Sequence, residues 1–224
     1  MQMGEGYYGR HGTLGIATPQ ANVTAETEFR ALLPRGVACA TVRMASDEPL
    51  PEDRLRAYFS EIDQTLDRFD TLAMGAVGLA CTGSSYLLGH AAVEASLAKL
   101  GARRQQPVIS AATAIERALN HIGAHSVALI CPYPEWLLEA AERHWQERGF
   151  ALADRFSLDP HQQDTRAIYG LSPETAAERI RTRWNGIKAD VYLITGTGLP
   201  TLRLVAELSG VLPGPVLSSN LCLA

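Results

Sequence analysis

The strongest constraint on the fold is an internal echo in the chain. The apolar run Ser126-Val127-Ala128-Leu129-Ile130-Cys131 enters a proline-bearing turn, Pro132-Tyr133-Pro134, and then a helical pattern from Glu135 to Arg148. Gly12 to Ala17, the turn at Thr18-Pro19 and the pattern reaching Phe29 do the same near the start. Likewise Ala189 to Gly198 repeats the pattern of the segment from Ala76 to Gly83. In both cases the offset is about 115 residues, a period that fits two lobes rather than a solenoid. Short apolar runs that each feed a helical pattern read as buried parallel strands joined by right-handed crossovers. The chain is therefore expected to be α/β, with two similar lobes facing each other.

Further strands are expected at 37–42, 107–110 and 215–219. Helices are expected from Glu52 to Phe69, from about Ser84 to Leu100 with Gly101 as its stop, from Ala111 to Ile122 before Gly123, and from Pro173 to Asn185 behind the cap Ser172. Residues 1–106 with 214–224 are assigned to the first lobe and 107–213 to the second. After the last strand only Asn220-Leu221-Cys222-Leu223-Ala224 follow, so an incomplete or partly ordered final helix is expected.

Within this frame, Ala76 to Ala80 is an apolar run that stops abruptly at Cys81-Thr82-Gly83-Ser84-Ser85. That places a thiol at the carboxyl end of a central strand, where the amides of the next turn and helix face the crevice in open α/β sheets. A buried structural cysteine fits the same residues. Asn22, ahead of the acidic turn Glu26-Thr27-Glu28, projects toward the same edge, as a helix cap or as a ligand contact.

Composition removes other classes. With 224 residues, 46% hydrophobic and a net charge of −4, the chain can bury a core, and its only adjacent basic pair, Arg103-Arg104, gives no nucleic-acid surface. No window of about 18 apolar residues exists, and Met1 to Gly6 lacks the basic and apolar regions of a signal peptide, so no membrane partner and a cytoplasmic address are expected. Cys39, Cys81, Cys131 and Cys222 form no C-x-x-C pair, which argues against a zinc site or a disulfide framework. Gly196-x-Gly198 lacks the third glycine and the acidic partner of a dinucleotide fingerprint. No metal or organic cofactor is expected, and homo-oligomerisation is left open.

The block from Gly15 to Phe29, with Pro19-x-x-Asn22-x-x-x-Glu26 at its centre, together with Ala80-Cys81-Thr82-Gly83-Ser84-Ser85 and Cys131-Pro132-Tyr133, resembles the maleate isomerase and arylmalonate decarboxylase branch of the aspartate/glutamate racemase superfamily. The resemblance implies a pseudo-twofold pair of Rossmann-like lobes with parallel sheets and an active site in the cleft between them. It also implies chemistry next to a carboxylate without metal or organic cofactor. By the same resemblance Cys81 is the nucleophile, and Asn22 and Tyr133 hold substrate carboxylates. The place of a second-lobe cysteine is taken here by Gly196. The decarboxylases show the reverse, with glycine where this chain has Cys81.

A cysteine at a helix N-terminus is expected to have its pKa lowered from about 8.5 by the dipole and nearby amides. Such a thiolate can add to an unsaturated dicarboxylate such as maleate, allow rotation about the resulting single bond, and leave the trans isomer. The enediolate that develops needs donors set in place beforehand, and Thr82, Gly83, Ser84, Ser85 and Tyr133 are the first-lobe-facing candidates. Arg166 can grip a carboxylate in bidentate fashion or be a surface arginine, and Thr197 beside Gly196 offers a second-lobe hydroxyl or only a turn. The expected activity is maleate-type cis–trans isomerisation. A decarboxylase or racemase-like enzyme with Cys81 as proton donor, and a non-catalytic small-acid binding protein, are the alternatives.

Overall fold

A computed structural model describes residues 8–184 and 186–224. The first half runs β1 (Thr13–Pro19), α1 (Thr24–Leu32), β2 (Ala38–Met44), α2 (Pro51–Ser60), α3 (Ile62–Asp67), β3 (Ala76–Leu79), α4 (Thr82–Leu88), α5 (His90–Arg104), β4 (Val108–Ser110) and α6 (Ala111–His121). The second runs β5 (Ser126–Cys131), α7 (Glu135–Glu147), β6 (Ala151–Ser157), a 3₁₀ turn at Thr165–Gly170, α8 (Pro173–Arg183), β7 (Val191–Ile194), α9 (Leu202–Leu208), β8 (Val216–Ser218) and α10 (Ser219–Leu223). Two four-stranded parallel sheets result, ordered β2-β1-β3-β4 and β6-β5-β7-β8. The identical order is the internal echo of the sequence realised in three dimensions.

In each half the β1-type strand and the β3-type strand sit at the centre, with Ile16 beside Gly78 in one sheet and Ile130 beside Ile194 in the other. Their carboxyl ends therefore emerge side by side, which is where a crevice forms in such sheets. Residues of both sheets, among them Ala17, Leu79, Leu129 and Leu193, share one continuous core with Leu137 and Trp145 of α7. Every residue of β7 is buried, as expected for a parallel strand covered on both faces.

Several boundaries differ from expectation, each for a local reason. Strand β4 pairs with β3 in the first sheet and β8 pairs with β7 in the second, so neither belongs to the lobe that the divisions at 106 and 214 gave it. Each is three residues long, and an apolar pattern of that length does not encode its partner. The short helix α10 does return to the first lobe, where it packs on α6 and lays Leu223 against Gly78 of β3. The helix from Glu52 to Phe69 is broken at Glu61 into α2 and α3. The one expected from Ser84 starts at Thr82 and breaks at Gly89, whose φ of +79° suits glycine. Gly101 does not stop α5, which continues to Arg104 and ends on left-handed Gln105. Strand β6 and helix α9 were not anticipated. The expected end of α8 at Asn185 and the residues Met1 to Gly6 lie outside the described residues. No described helix is long and apolar enough to cross a membrane.

Candidate active site

Cys81 caps the N-terminus of α4 with an extended backbone (φ −150°, ψ 98°), just past the end of β3. It is 8% exposed and its side of the inter-lobe cleft is shared with Thr82 and Gly83. Helix α4 is wedged between α2 and α7, and Gly83 makes this approach feasible: a Cβ there would lie 3.2 Å from Leu55 and 3.4 Å from Leu137. The second lobe supplies Tyr133, Gly196, Thr197 and the 3₁₀ turn to the same cleft, which holds about 40 Å³ of free space.

The Cys81 thiol lies 3.3 Å from the Ser84 hydroxyl, which donates at 2.7 Å to the carbonyl of Leu55. A hydroxyl has one hydrogen, so in this arrangement the thiol donates to Ser84 Oγ. Burial pushes the thiol's pKa up, and the Ser84 hydroxyl and the amides of Ser84 and Gly83 only partly offset it. The expected lowering is thus overturned, because desolvation of an anion outweighs one short turn of amides. Ionisation of Cys81 calls for the Ser84 hydroxyl to turn from Leu55 to the sulfur, a movement within one rotor.

The other sequence-derived residues separate into two groups. Thr82, Gly83, Tyr133, Arg166, Gly196 and Thr197 line the cleft with Cys81, whereas Asn22, Ser84 and Ser85 stand behind it. Thr82 and Tyr133 share a short hydroxyl–hydroxyl hydrogen bond across the lobes. Burial raises the Tyr133 phenol well above its usual range, so it stays a neutral donor. Asn22 is fully buried; its Oδ1 accepts from the amide of Ala25 at 3.1 Å, and its Nδ2 donates at 3.2 Å to Thr197 Oγ1. Thr197 in turn donates at 2.6 Å to the carbonyl of Ala80. Asn22 therefore acts as a helix cap and as a support for the far wall. Ser85 is buried inside α4. Arg166 is 51% exposed at its side chain and holds Asp164 Oδ2 through Nε at 2.9 Å and Nη2 at 2.6 Å.

Among the lining residues that the sequence does not single out, three carry ionisable side chains. Arg54 and Tyr58 come from the buried face of α2, and Tyr169 comes from the 3₁₀ turn. Burial raises Tyr58 to about 12 and raises Tyr169 as well, and for both a negative Cys81 sulfur adds to the rise. Tyr58 is visible in sequence only as one apolar position in the helical period of α2, which looks the same as core packing, while Arg54 and Tyr169 carry no such signal. Among the described residues no group of three His, Cys, Asp or Glu side chains is placed to hold a metal.

Gly196 occupies the position in the second lobe that Cys81 occupies in the first, two residues past its strand. Its φ is +95°, and a Cβ there would lie 2.7 Å from Pro132 Cγ and 2.9 Å from Ile168 Cδ1. A side chain at this position has neither the backbone conformation nor the space. Gly196→Cys is accordingly expected to lower stability by about 2–4 kcal/mol and to bring no gain in turnover. Chemical denaturation with parallel activity measurement checks this, and a stable, more active variant would contradict it. Cys131 does not replace the missing thiol: it is fully buried on β5, 3.0 Å from Thr195 Oγ1, with its pKa pushed up to about 12 by burial.

The family model described as "Arylmalonate decarboxylase" matches residues 29–223. A maleate isomerase from Geobacillus stearothermophilus is 26% identical over 225 residues, covering 94% of this chain and 88% of that protein. The fold matches a maleate cis–trans isomerase of Nocardia farcinica, a cysteine-to-serine variant with a covalently bound succinylcysteine intermediate, with a TM-score of 0.82 and 24% identity over 94% of this chain and 88% of that one. It also matches a liganded arylmalonate decarboxylase in which a glycine is changed to cysteine and a cysteine to serine, with a TM-score of 0.78 and 21% identity over the same shares.

Proposed function

Given that this chain belongs to the arylmalonate decarboxylase family, we propose that it is a maleate-type cis–trans isomerase with Cys81 as the nucleophile, working without metal or organic cofactor. The observation that carries the reading is the position of the thiol: on a helix cap, at the edge of the inter-lobe cleft, with neutral hydroxyl donors opposite. The similarity to named maleate isomerases, one of them with a succinylcysteine intermediate, supports the same chemistry.

The Cys81 thiolate adds to one alkene carbon, forming a C–S bond. The π electrons move onto the carboxylate of the other alkene carbon as an enediolate, which accepts hydrogen bonds from the one hydrogen that the paired Thr82 and Tyr133 hydroxyls leave free and from the amides that open α4. Rotation about the former carbon–carbon double bond, now single, follows. Collapse of the enediolate expels the thiolate and leaves the trans alkene, so no net proton is consumed. Because Gly196 bears no thiol, this route uses a single sulfur.

The test is proton NMR of maleate with the intact protein, in which fumarate should accumulate. The reactive form is the thiolate of a thiol whose pKa is raised, so the rate should climb by about tenfold per pH unit from neutral to mildly alkaline pH, with no plateau near pH 7. Absence of fumarate while phenylmalonate loses carbon dioxide would replace this reading by the decarboxylase one. A flat pH profile would contradict the role of the buried thiol.

A further inference from the structure

The cleft contains a cation that the reaction above does not use. Arg54, in the first turn of α2, is 2% exposed and lines the cleft with Cys81. A buried guanidinium stays charged and needs an anion close by. Among the described residues its one carboxylate partner is Asp164, reached across the lobes by Nη2 at 2.5 Å. The same nitrogen lies 3.5 Å from Thr165 Oγ1, while Nη1 lies 3.5 Å from the Glu48 carbonyl, too long to satisfy it.

Asp164 does not depend on Arg54. Its other oxygen is held twice by Arg166, and Oδ1 also accepts the Arg166 amide at 2.9 Å. Two guanidinium groups thus share one carboxylate, which leaves a net positive charge at the cleft. Asp164 Oδ1 further demonstrates that a carboxylate oxygen fits against Arg54 at the wall of the site.

Arg54 is also tied to the reacting sulfur. The carbonyl of the next residue, Leu55, receives the hydrogen bond from Ser84, and Ser84 contacts Cys81. One turn along α2, Tyr58 responds to both the Cys81 and the Arg54 charges.

We propose that Arg54 binds the carboxylate of the substrate that does not become the enediolate, in place of Asp164, and so selects doubly charged, four-carbon acids over acids with one neutral end. This rests on the reading of the cleft as a carboxylate site. A charge-assisted hydrogen bond in a water-poor site carries a preference of about 10–100-fold.

The test is calorimetric binding of succinate and of butyrate, saturated acids of equal length that differ in the second carboxylate. The intact protein should prefer succinate by about 10–100-fold. Arg54→Met should reduce that preference to within about threefold by weakening succinate alone, with butyrate affinity held within about threefold. Asp164→Asn removes the internal competitor and should tighten succinate binding severalfold with butyrate unchanged, a gain that misfolding cannot produce.

A succinate preference that survives in Arg54→Met, an equal loss for both acids, or no tightening in Asp164→Asn overturns the assignment. No binding of either acid overturns it together with the carboxylate-site reading. Since binding is measured without turnover, absence of isomerase activity with an intact Arg54-dependent preference would leave the anchor standing and remove only the proposed reaction.

Discussion

Cys81→Ser is expected to lower maleate turnover by at least about 10³-fold while leaving the fold and the affinity for a saturated diacid nearly unchanged. The serine hydroxyl is smaller than the thiol and sits on the same extended cap, so the contact with Ser84 and the packing of α4 against α2 and α7 have no reason to fail. What is lost is the ability to ionise. Burial already pushes the thiol up, and an alcohol in the same place stays protonated at any pH the protein tolerates. The measurement is initial rate by NMR beside calorimetric binding of succinate. Turnover within tenfold of the unaltered protein would mean that no covalent bond to this sulfur is needed. A complementary signature is the transient mass of one maleic acid on the Cys81 peptide, absent from the serine variant.

The place of Cys81 was legible in the sequence because its signal is local: an apolar run that stops at a thiol and small hydroxyl residues marks the carboxyl end of a strand, although a buried structural cysteine fits the same residues. The two sheets were legible for a related reason, since a repeat of about 115 residues is a long-range fact that one sequence carries within itself. Arg54 was not legible. It lies in an ordinary helical pattern, and its meaning comes from Asp164, 110 residues later and in the other lobe. Tyr169 was hidden in the same way, lying beside the side-chain-free turn at Gly198, where a Cβ would come within 2.5 Å of its ring. Of the two sequence readings of Asn22, helix cap and ligand contact, the structure shows the cap, and its support of Thr197 was hidden because that partner lies 175 residues away. The acidity of Cys81 was misjudged since the cap position is visible in sequence and the depth of burial is not.

Glu28→Ala is expected to produce the largest loss of stability, about 3–5 kcal/mol, because it strands a set of buried donors at once. Glu28 is 4% exposed on α1 and accepts the amide of Thr201, the amide of Leu202 at 2.9 Å and the side-chain amide of Asn220 at 2.7 Å, with the Thr201 hydroxyl at 2.8 Å. These partners open α9 and α10, so one carboxylate from the first lobe fixes two segments that follow β7 and β8. Its negative charge also faces the positive end of α9. Glu28→Gln keeps the shape but offers one oxygen, and about 1–3 kcal/mol should be lost. Urea unfolding reads both, with an unchanged slope expected if only native contacts are removed; a loss under 1 kcal/mol for Glu28→Ala would contradict the assignment. The same variants report on the site. Thr24 holds the Gly198 carbonyl at 2.9 Å and Asn22 holds Thr197, so the α1 edge carries the cleft wall opposite Cys81 as one unit with Glu28. Loosening that wall should raise the alkylation rate of Cys81 by iodoacetamide while lowering turnover, opposite shifts that arise only if lobe closure both buries the sulfur and assembles the donors facing it.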